Sequence, residues 1–278
     1  MQRHIKVQPV GSGGRYREVV PAGVLRFLEF ALLALPEGET YGGSTGDREC
    51  VLDVFSGIAS IEVEVSGFKE TFPKVGKRSN VFSGPPCVLY LPPQCGFHVR
   101  AASQTFRAGL FSSPARRPGQ PSLIEGSSVV TKQVGQASFE RTVYTAIGED
   151  LPAERLLAGE TLNAPGCWSS FPPHKHDRSN PPREAQLEEV YYFQIQPANG
   201  FGFIWTYTAE DDADGFNNVF VVENGDTVLL PKGYHPVVAA PGCQLHYTWV
   251  LAGEERRYGA WAEDPKYAAL KLVRPPAL

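Results

Sequence analysis

The chain has 278 residues, of which 42% are apolar and 20% are charged, and this composition excludes an intrinsically disordered protein. Its 28 glycines and 24 prolines exclude a long-helix bundle, because both residues interrupt helices, and they favour many short strands joined by turns. The formal net charge of −4 excludes a global basic field for nucleic acid, so an anionic small molecule would need local arginine or lysine side chains.

Short β-branched and aromatic runs, several of them alternating with polar residues, predict antiparallel strands along the chain. In the first half these runs cover residues 50–55, 61–65, 88–91 and 97–100. In the second half they cover residues 189–195, 202–207, 219–222, 227–230, 237–239 and 245–251. One peripheral helix is predicted over residues 265–273. The sequence therefore predicts an all-β fold with few helices.

Residues 112–127 are rich in proline, glycine, serine and arginine and predict a linker or a long crossing between two β-barrels. The halves echo each other, because residues 89–98 and 228–235 both read as an apolar strand followed by Pro, Gly, an aromatic residue and His. We interpret this echo as a duplicated barrel, with domains over residues 1–125 and 126–278. His98 takes the place of His235 in the first half, which lacks an H-x-H pair, and this predicts a metal-free scaffold.

The sequence gives no indication of a membrane segment. The first ten residues lack the apolar core of a signal peptide, and the richest apolar stretch, residues 24–35, contains two charged residues and is too short to span a bilayer. The five cysteines are an odd number without C-x-x-C spacing, which predicts free thiols in a reducing compartment. We therefore expect a cytoplasmic protein that has neither a membrane nor a nucleic acid as its partner.

Two histidine clusters in the second half predict a metal site. His174 and His176 stand two residues apart, and in an extended strand such residues face the same side. Glu189 opens the next strand and adds a carboxylate oxygen, while His235 adds a third nitrogen from a later strand. H-x-H alone is a weak signal, but its combination with G-x5-P-x-G-x-H at residues 225–235 is hard to obtain by chance. These side chains predict one divalent ion, zinc first, with manganese, iron or nickel as alternatives.

These motifs resemble the two signatures of the cupin superfamily, although the second is one residue shorter between its Gly and His than the usual form. The segments WSSFPPHKHD at 168–177, LEEVYYF at 187–193 and DTVLLPKGYHP at 226–236 are similar to the 5-deoxyglucuronate isomerase family of myo-inositol catabolism. The similarity extends over about residues 16–264. It implies two cupin (jelly-roll) barrels in tandem, the C-terminal one containing the active site, and the metal ligands His174, His176, Glu189 and His235.

The resemblance also indicates which of the adjacent residues Glu188 and Glu189 is the metal ligand. Glu189 stands in the ligand position of the related isomerase. Strand alternation then sends Tyr191 and Phe193 inward with Glu189, and Glu188 outward. Glu189 is therefore the expected metal ligand.

The resemblance implies an aldose–ketose isomerase, without a redox cofactor, that converts 5-deoxy-D-glucuronate to 5-dehydro-2-deoxy-D-gluconate. The hydrogen could move as a proton through an enediol or as a hydride between the two carbons. The proton route needs a base, for which Glu189, Tyr191 and Tyr207 are candidates. The substrate carboxylate calls for a cation, and Arg183 and Lys232 are candidate contacts in the loops around the metal motifs.

Departures from the family pattern at Cys243 and His246 lie beside the site and leave the exact sugar acid open. One alternative is another cupin enzyme on a related sugar acid, either a uronate ketol-isomerase or an Fe(II) dioxygenase. The other is a bicupin that binds a sugar acid without transforming it. A homo-oligomer is also expected, because cupins frequently pair through their sheets.

Overall fold

The computed structural model describes residues 3–6 and 15–272, which form short β-strands and two 3₁₀ helices, Ala137–Phe139 and Ala268–Leu272. The strands up to residue 124 are β1 (His4–Ile5), β2 (Tyr16–Val20), β3 (Glu29–Pro36), β4 (Thr40–Ser44), β5 (Arg48–Ser56), β6 (Ala59–Val65), β7 (Phe68–Val75), β8 (Cys87–Leu91), β9 (Cys95–Ala101), β10 (Thr105–Pro114) and β11 (Ser122–Ile124). The later strands are β12 (Val130–Val134), β13 (Arg141–Ile147), β14 (Leu157–Asn163), β15 (Trp168–Ser169), β16 (His174–Lys175), β17 (Leu187–Gln196), β18 (Phe201–Tyr207), β19 (Asn217–Glu223), β20 (Thr227–Leu230), β21 (Val237–Ala239), β22 (Gln244–Gly253) and β23 (Ala262–Glu263).

The first half of the chain forms a barrel of two antiparallel sheets. The larger sheet has six strands in the order β11-β8-β5-β10-β3-β2, and the smaller has four in the order β4-β9-β6-β7. Apolar side chains from the two sheets share one buried core, with Leu52 and Leu89 on one side and Ile61 and Val99 on the other. Most strands of the two sheets bury one face in this core, as expected for alternating sequences.

The second half repeats this arrangement. Its larger sheet has seven strands in the order β1-β20-β17-β22-β14-β13-β12, its smaller sheet has the order β15-β21-β18-β19, and β16 and β23 form a separate pair. Phe193 and Leu245 of the larger sheet share a core with Ile204 and Val237 of the smaller one. Strand β1 pairs with β20, so these N-terminal residues belong to the second barrel and not to the first.

The large sheets of the two barrels pack against each other and form a third core. Phe30 and Phe111 stack at 4.2 Å between ring centroids, and Tyr192 of β17 lies 5.3 Å from Phe30 and 5.2 Å from Phe55. All of these side chains are buried. The central strands of the large sheets are therefore buried on both faces, one face in a barrel and the other between barrels.

Two carboxylates connect the barrels reciprocally. Glu188 of β17 accepts backbone N–H bonds of 2.6 to 3.0 Å from residues 26–28 of the first half. Glu49 of β5 accepts bonds of 2.7 to 2.9 Å from residues 154–156 of the second half. Each glutamate is the second residue of its strand, so the two contacts are equivalent in the duplicated halves. Hydrogen bonds to a charged acceptor are stronger than neutral ones, and these hold the two barrels in register.

The ten strands predicted from the sequence all lie within observed strands. The predicted helix was wrong in type and length, because only the 3₁₀ helix Ala268–Leu272 forms there, and Val273 lies outside the described residues. Residues 112–127 are not a plain linker, since β10 extends into them and β11 adds an edge strand to β8. Within the described part of the chain, no helix is long and apolar enough to cross a membrane.

A buried ion pair also crosses between the barrels. Arg78 donates two hydrogen bonds to the carboxylate of Glu160, one of them 2.7 Å long, and the two side chains are 4% and 0% exposed. The exposed pair Arg26–Glu254 also joins the halves, at 3.0 Å. Removing one partner of a buried pair leaves an uncompensated charge, whereas an exposed charge stays hydrated.

We therefore expect Arg78→Met to lower the free energy of unfolding by about 3–5 kcal/mol. The matched variant Arg26→Met should lower the free energy of unfolding by less than about 1 kcal/mol, because water solvates both charges of the exposed Arg26–Glu254 pair. Urea denaturation followed by tryptophan fluorescence measures both values. Equal losses in the two variants would contradict a structural role for burial of the Arg78 pair.

Candidate metal centre and active site

The second barrel contains a cavity of about 330 Å³. Its wall includes His174, His176, Glu189 and Tyr191, together with aromatic side chains of β22 and of the segment before β23. His174 is held by the pairing of β16 with β23, and Glu189 is held near the start of β17 between β20 and β22. The volume lies at the lower end of the range for small-molecule sites.

Three of the four predicted metal ligands meet in this barrel. The ligand atoms of His176, Glu189 and His235 all lie within 4.8 Å of one another, and the three side chains are buried. The Nε2 atoms of His176 and His235 lie 3.2 and 3.5 Å from the same oxygen, Oε2 of Glu189. The two imidazoles and the carboxylate therefore converge on one point, although they come from separate segments of the chain.

A backbone carbonyl sets the tautomer of each histidine. Nδ1 of His176 donates a 2.9 Å hydrogen bond to the carbonyl oxygen of Leu187, and Nδ1 of His235 donates one of 2.9 Å to that of Gly233. Because a carbonyl can only accept, each neutral imidazole has its lone pair on Nε2, towards Glu189. Hydrogen bonding of the second ring nitrogen is the usual way in which metal-binding histidines are oriented.

Gly233 in the second motif permits this arrangement. It adopts a φ of 96°, and a Cβ atom there would lie 2.5 Å from the carbonyl oxygen of Tyr207. A left-handed conformation with so close an approach requires glycine. The motif therefore places the carbonyl of residue 233 where His235 can donate to it.

The electrostatics of the cluster fit a bound cation. Nε2 of His235 is buried without a hydrogen-bond partner, and burial, followed by the charge of His174, lowers the pKa of His235 to about 3. Burial also opposes the charged form of His176, but the hydrogen bond and charge of Glu189 outweigh it and raise the His176 pKa. When both imidazoles are neutral, two lone pairs and a carboxylate oxygen face each other, and a positive charge between them, either a proton on Nε2 of His176 or a bound cation, removes their repulsion. The donor set, two nitrogens and one carboxylate, suits a divalent transition metal.

His174 lies beside the cluster but outside the group of atoms within 4.8 Å. Its ring centroid is 4.9 Å from that of His235 and 6.4 Å from that of His176, and it packs against Trp261 at 4.9 Å. Burial, then the charge of His176, lowers its pKa to about 3, so the imidazole is neutral and able to donate a lone pair. The structure thus brings together three predicted ligands and leaves the fourth adjacent.

The two adjacent glutamates face opposite sides of β17. Glu189 lines the cavity, whereas Glu188 points between the barrels and binds the backbone of residues 26–28. Tyr191, two residues further on, lines the cavity as well, and its hydroxyl lies 3.1 Å from Oγ of Ser170. Burial, then the charge of Glu189, raises the pKa of Tyr191 well above its usual value. With no cation beside Glu189, Tyr191 is therefore a protonated phenol that can donate a hydrogen bond.

The other predicted site residues lie elsewhere. Among the described residues that line the cavity, Tyr207, Arg183 and Lys232 do not occur. Tyr207 is buried and donates a 2.7 Å hydrogen bond to Oδ2 of Asp264. Lys232 pairs with Asp212 at 2.7 Å, and Arg183 is exposed in its loop. Loop residues close to the metal motifs in sequence are thus separate from the cavity in space.

Sequence reasoning missed the basic residues that do line the cavity, which are Arg141, Arg257 and Lys271. Arg141 opens β13 in the alternating segment RTVYTAI, so its signal was a charged residue at an inward position of a strand. Lys271 forms an ion pair of 2.6 Å with Glu263, and Arg257 is exposed.

Comparison with known proteins places these features in a family context. Residues 7–270 match the KduI/IolB family. The 5-deoxy-glucuronate isomerase of Geobacillus thermodenitrificans (strain NG80-2) is 34% identical over 264 residues, which cover 95% of this chain and 89% of that protein. An IolB-like protein from Salmonella typhimurium LT2 superposes with a TM-score of 0.86 at 27% identity, over 96% of this chain and 98% of the other. The Lactobacillus farciminis oxalate decarboxylase formate complex has a TM-score of 0.66 at 12% identity, over 96% and 88%, and this likeness confirms the predicted bicupin fold alone.

The position of Tyr207 leads to a prediction about stability. Tyr207→Phe removes a buried hydrogen bond to a carboxylate, and we expect a loss of about 1.5–3 kcal/mol in the free energy of unfolding. Tyr234 stacks on Tyr207 at 4.8 Å, and its hydroxyl makes no hydrogen bond with the described residues, so Tyr234→Phe should cost less than about 0.5 kcal/mol. Thermal and urea denaturation measure both. A Tyr207→Phe variant of unchanged stability would refute the structural role assigned to this hydroxyl.

Proposed function

Because the chain belongs to the KduI/IolB family, we propose that it is a metal-dependent aldose–ketose isomerase that converts 5-deoxy-D-glucuronate to 5-dehydro-2-deoxy-D-gluconate in myo-inositol degradation. The protein is an isomerase, as its relatives are named. The observation that supports the metal-dependent mechanism most directly is the convergence of His176, Glu189 and His235 on one point next to the cavity.

In this proposal His176, Glu189 and His235 hold one divalent metal ion, and His174 is a fourth nitrogen donor from its adjacent position. The metal would supply Lewis acidity, which polarises a carbonyl and lowers the pKa of a neighbouring hydroxyl. Zinc is the first candidate for a set of imidazoles and one carboxylate, and manganese, iron and nickel are alternatives.

Side chains of the protein then accept and donate the protons that the reaction moves. An aldose–ketose isomerisation moves one hydrogen between adjacent carbons and one between their oxygens, without net oxidation. Oε2 of Glu189 faces the two imidazoles, which leaves Oε1 as the carboxylate oxygen for accepting a proton from the substrate. The phenol of Tyr191, which lines the cavity, donates a hydrogen bond to a substrate oxygen. Aromatic side chains of Tyr247, Trp249 and Tyr258 line the cavity around these groups.

The cellular setting is part of the proposal. All five cysteines are free thiols, and four of them are buried. Free thiols persist in a reducing compartment, which supports a cytoplasmic location. Association into a homo-oligomer remains part of the same proposal.

The activity is tested with purified protein and 5-deoxy-D-glucuronate under anaerobic conditions, with the product followed by NMR. We expect turnover without oxygen, because the reaction needs no oxidant. Turnover only in air would instead indicate a dioxygenase. Calorimetric binding of the sugar acid to metal-loaded protein without product would indicate a binding protein, and either result would overturn the proposal.

The metal site is tested with Glu189→Gln against its neighbour. We expect Glu189→Gln, and likewise His176→Ala, to weaken Zn²⁺ binding by at least about 100-fold, because each removes a donor atom. Glu188→Gln alters only the contact between barrels, so it should keep the metal affinity while lowering the melting temperature. Competition with a fluorescent chelator measures the affinities. Loss of metal from Glu188→Gln, with retention in Glu189→Gln, would reverse the assignment of the two residues.

A further inference from the structure

A sugar acid that enters the cavity carries a negative charge, and the predicted cationic contacts Arg183 and Lys232 do not line that cavity. A carboxylate that leaves water without a partner loses several kcal/mol of hydration. The site therefore needs another cation, and three basic residues of the cavity wall are available. They differ in burial and in the partners they already have.

Arg141 is placed by strand alternation. It is the first residue of β13 and pairs with Asn163 of β14. Arg141, Val143 and Thr161 line the cavity, whereas Tyr144 on the opposite face packs between the barrels. The guanidinium is thus fixed by a strand in the wall of the barrel, and its Nη1 donates a 3.1 Å hydrogen bond to the carbonyl oxygen of Phe139.

Arg141 is a partly buried cation without an acidic partner. Burial lowers its pKa, and the titratable groups that oppose this shift are the tyrosines Tyr247, Tyr191 and Tyr258 and not a carboxylate. No carboxylate in the described ranges forms an ion pair with it. Arg141 lines the same cavity as His174 and His176, so the cation and the histidine cluster share one space.

The other two basic residues are less suited. Lys271 is already neutralised by Glu263 at 2.6 Å. Arg257 is exposed, and water solvates its charge. Arg141 alone combines burial, a fixed position and unused N–H donors, because a guanidinium carries five.

We propose that Arg141 binds the carboxylate of the sugar-acid substrate and thereby selects sugar acids over neutral sugars. This inference deepens the proposed function and rests on it for the identity of the reaction. A guanidinium binds a carboxylate through two parallel hydrogen bonds, which orients the bound molecule as well as attracting it. A neutral sugar would leave the half-buried cation unpaired, and sites of this kind reject ligands that lack the matching group.

The experiment compares Arg141→Gln and Arg141→Lys with the wild type. In calorimetry, we expect the wild type to bind D-glucuronate at least about 10-fold more tightly than D-glucose, Arg141→Gln to lose this difference, and Arg141→Lys to keep part of it. In turnover of 5-deoxy-D-glucuronate, Arg141→Gln should raise KM at least about 10-fold while kcat changes less. Arg178→Gln is the control, because Arg178 is exposed, pairs with Asp211 and lies outside the cavity wall.

The outcomes separate this inference from the proposed function. Equal affinities of the wild type for D-glucuronate and D-glucose, or an unchanged ratio in Arg141→Gln, would overturn the role of Arg141. An increase in KM for Arg183→Gln, with no increase for Arg141→Gln, would also overturn the role of Arg141. It would support the sequence-based prediction that Arg183 contacts the substrate carboxylate. Selective binding of D-glucuronate through Arg141, without turnover of 5-deoxy-D-glucuronate, would support Arg141 and reject only the proposed reaction. Metal content measured on every variant shows that the change does not act through the histidine cluster.

Discussion

The site depends on one strand, β17, that is buried on both faces. Successive side chains of a strand point in opposite directions, so Glu189 and Tyr191 face the cavity while Glu188 and Tyr192 face the other barrel. A shift of one residue would place Glu188 among the histidines and the Glu189 carboxylate in the core between barrels. The three backbone N–H bonds to Glu188 oppose that shift. The contact between the barrels therefore adds to the pairing of β17 with β20 and β22, which sets the register of the metal-binding strand.

The duplicated halves show why only one barrel has this cluster. Cys50 pairs with Leu91 in the first barrel as Glu189 pairs with Leu230 in the second, so a buried thiol stands where the second barrel has its carboxylate. His98, which follows the echoed motif, is exposed and points away from the first core. Within the described residues, the first barrel brings no group of three metal-ligating side chains together. Duplication preserved the packing of the strands, while the chemistry of single inward positions diverged.

The sequence predicted the positions of residues in strands better than those of residues in loops. Strand periodicity placed ten of the strands, and the family resemblance put Glu189 in the ligand position, with alternation then sending Glu188 to the other side. Motif spacing indicated that His176 and His235 come close to Glu189. Arg183 could not be placed, because it lies in the loop 176–187, where no periodicity sets the direction of a side chain. Arg141 was missed for a different reason. Its alternating segment indicates only the face of β13 on which it lies, and its place in the cavity wall depends on which strands lie side by side in the second barrel.

The charges of the cavity explain how a protein with a net charge of −4 can attract an anion. Lys271 and Glu263 cancel each other, and Glu189 is the carboxylate that faces the histidines. A divalent cation there would leave the cluster with a net positive charge, to which Arg141 adds a second. In a partly buried cavity such charges are screened less than on the surface, so the local field opposes the overall one. A sugar acid satisfies both charges at once, its oxygens towards the histidine cluster and its carboxylate towards the guanidinium, whereas a neutral sugar or a simple carboxylate satisfies only one.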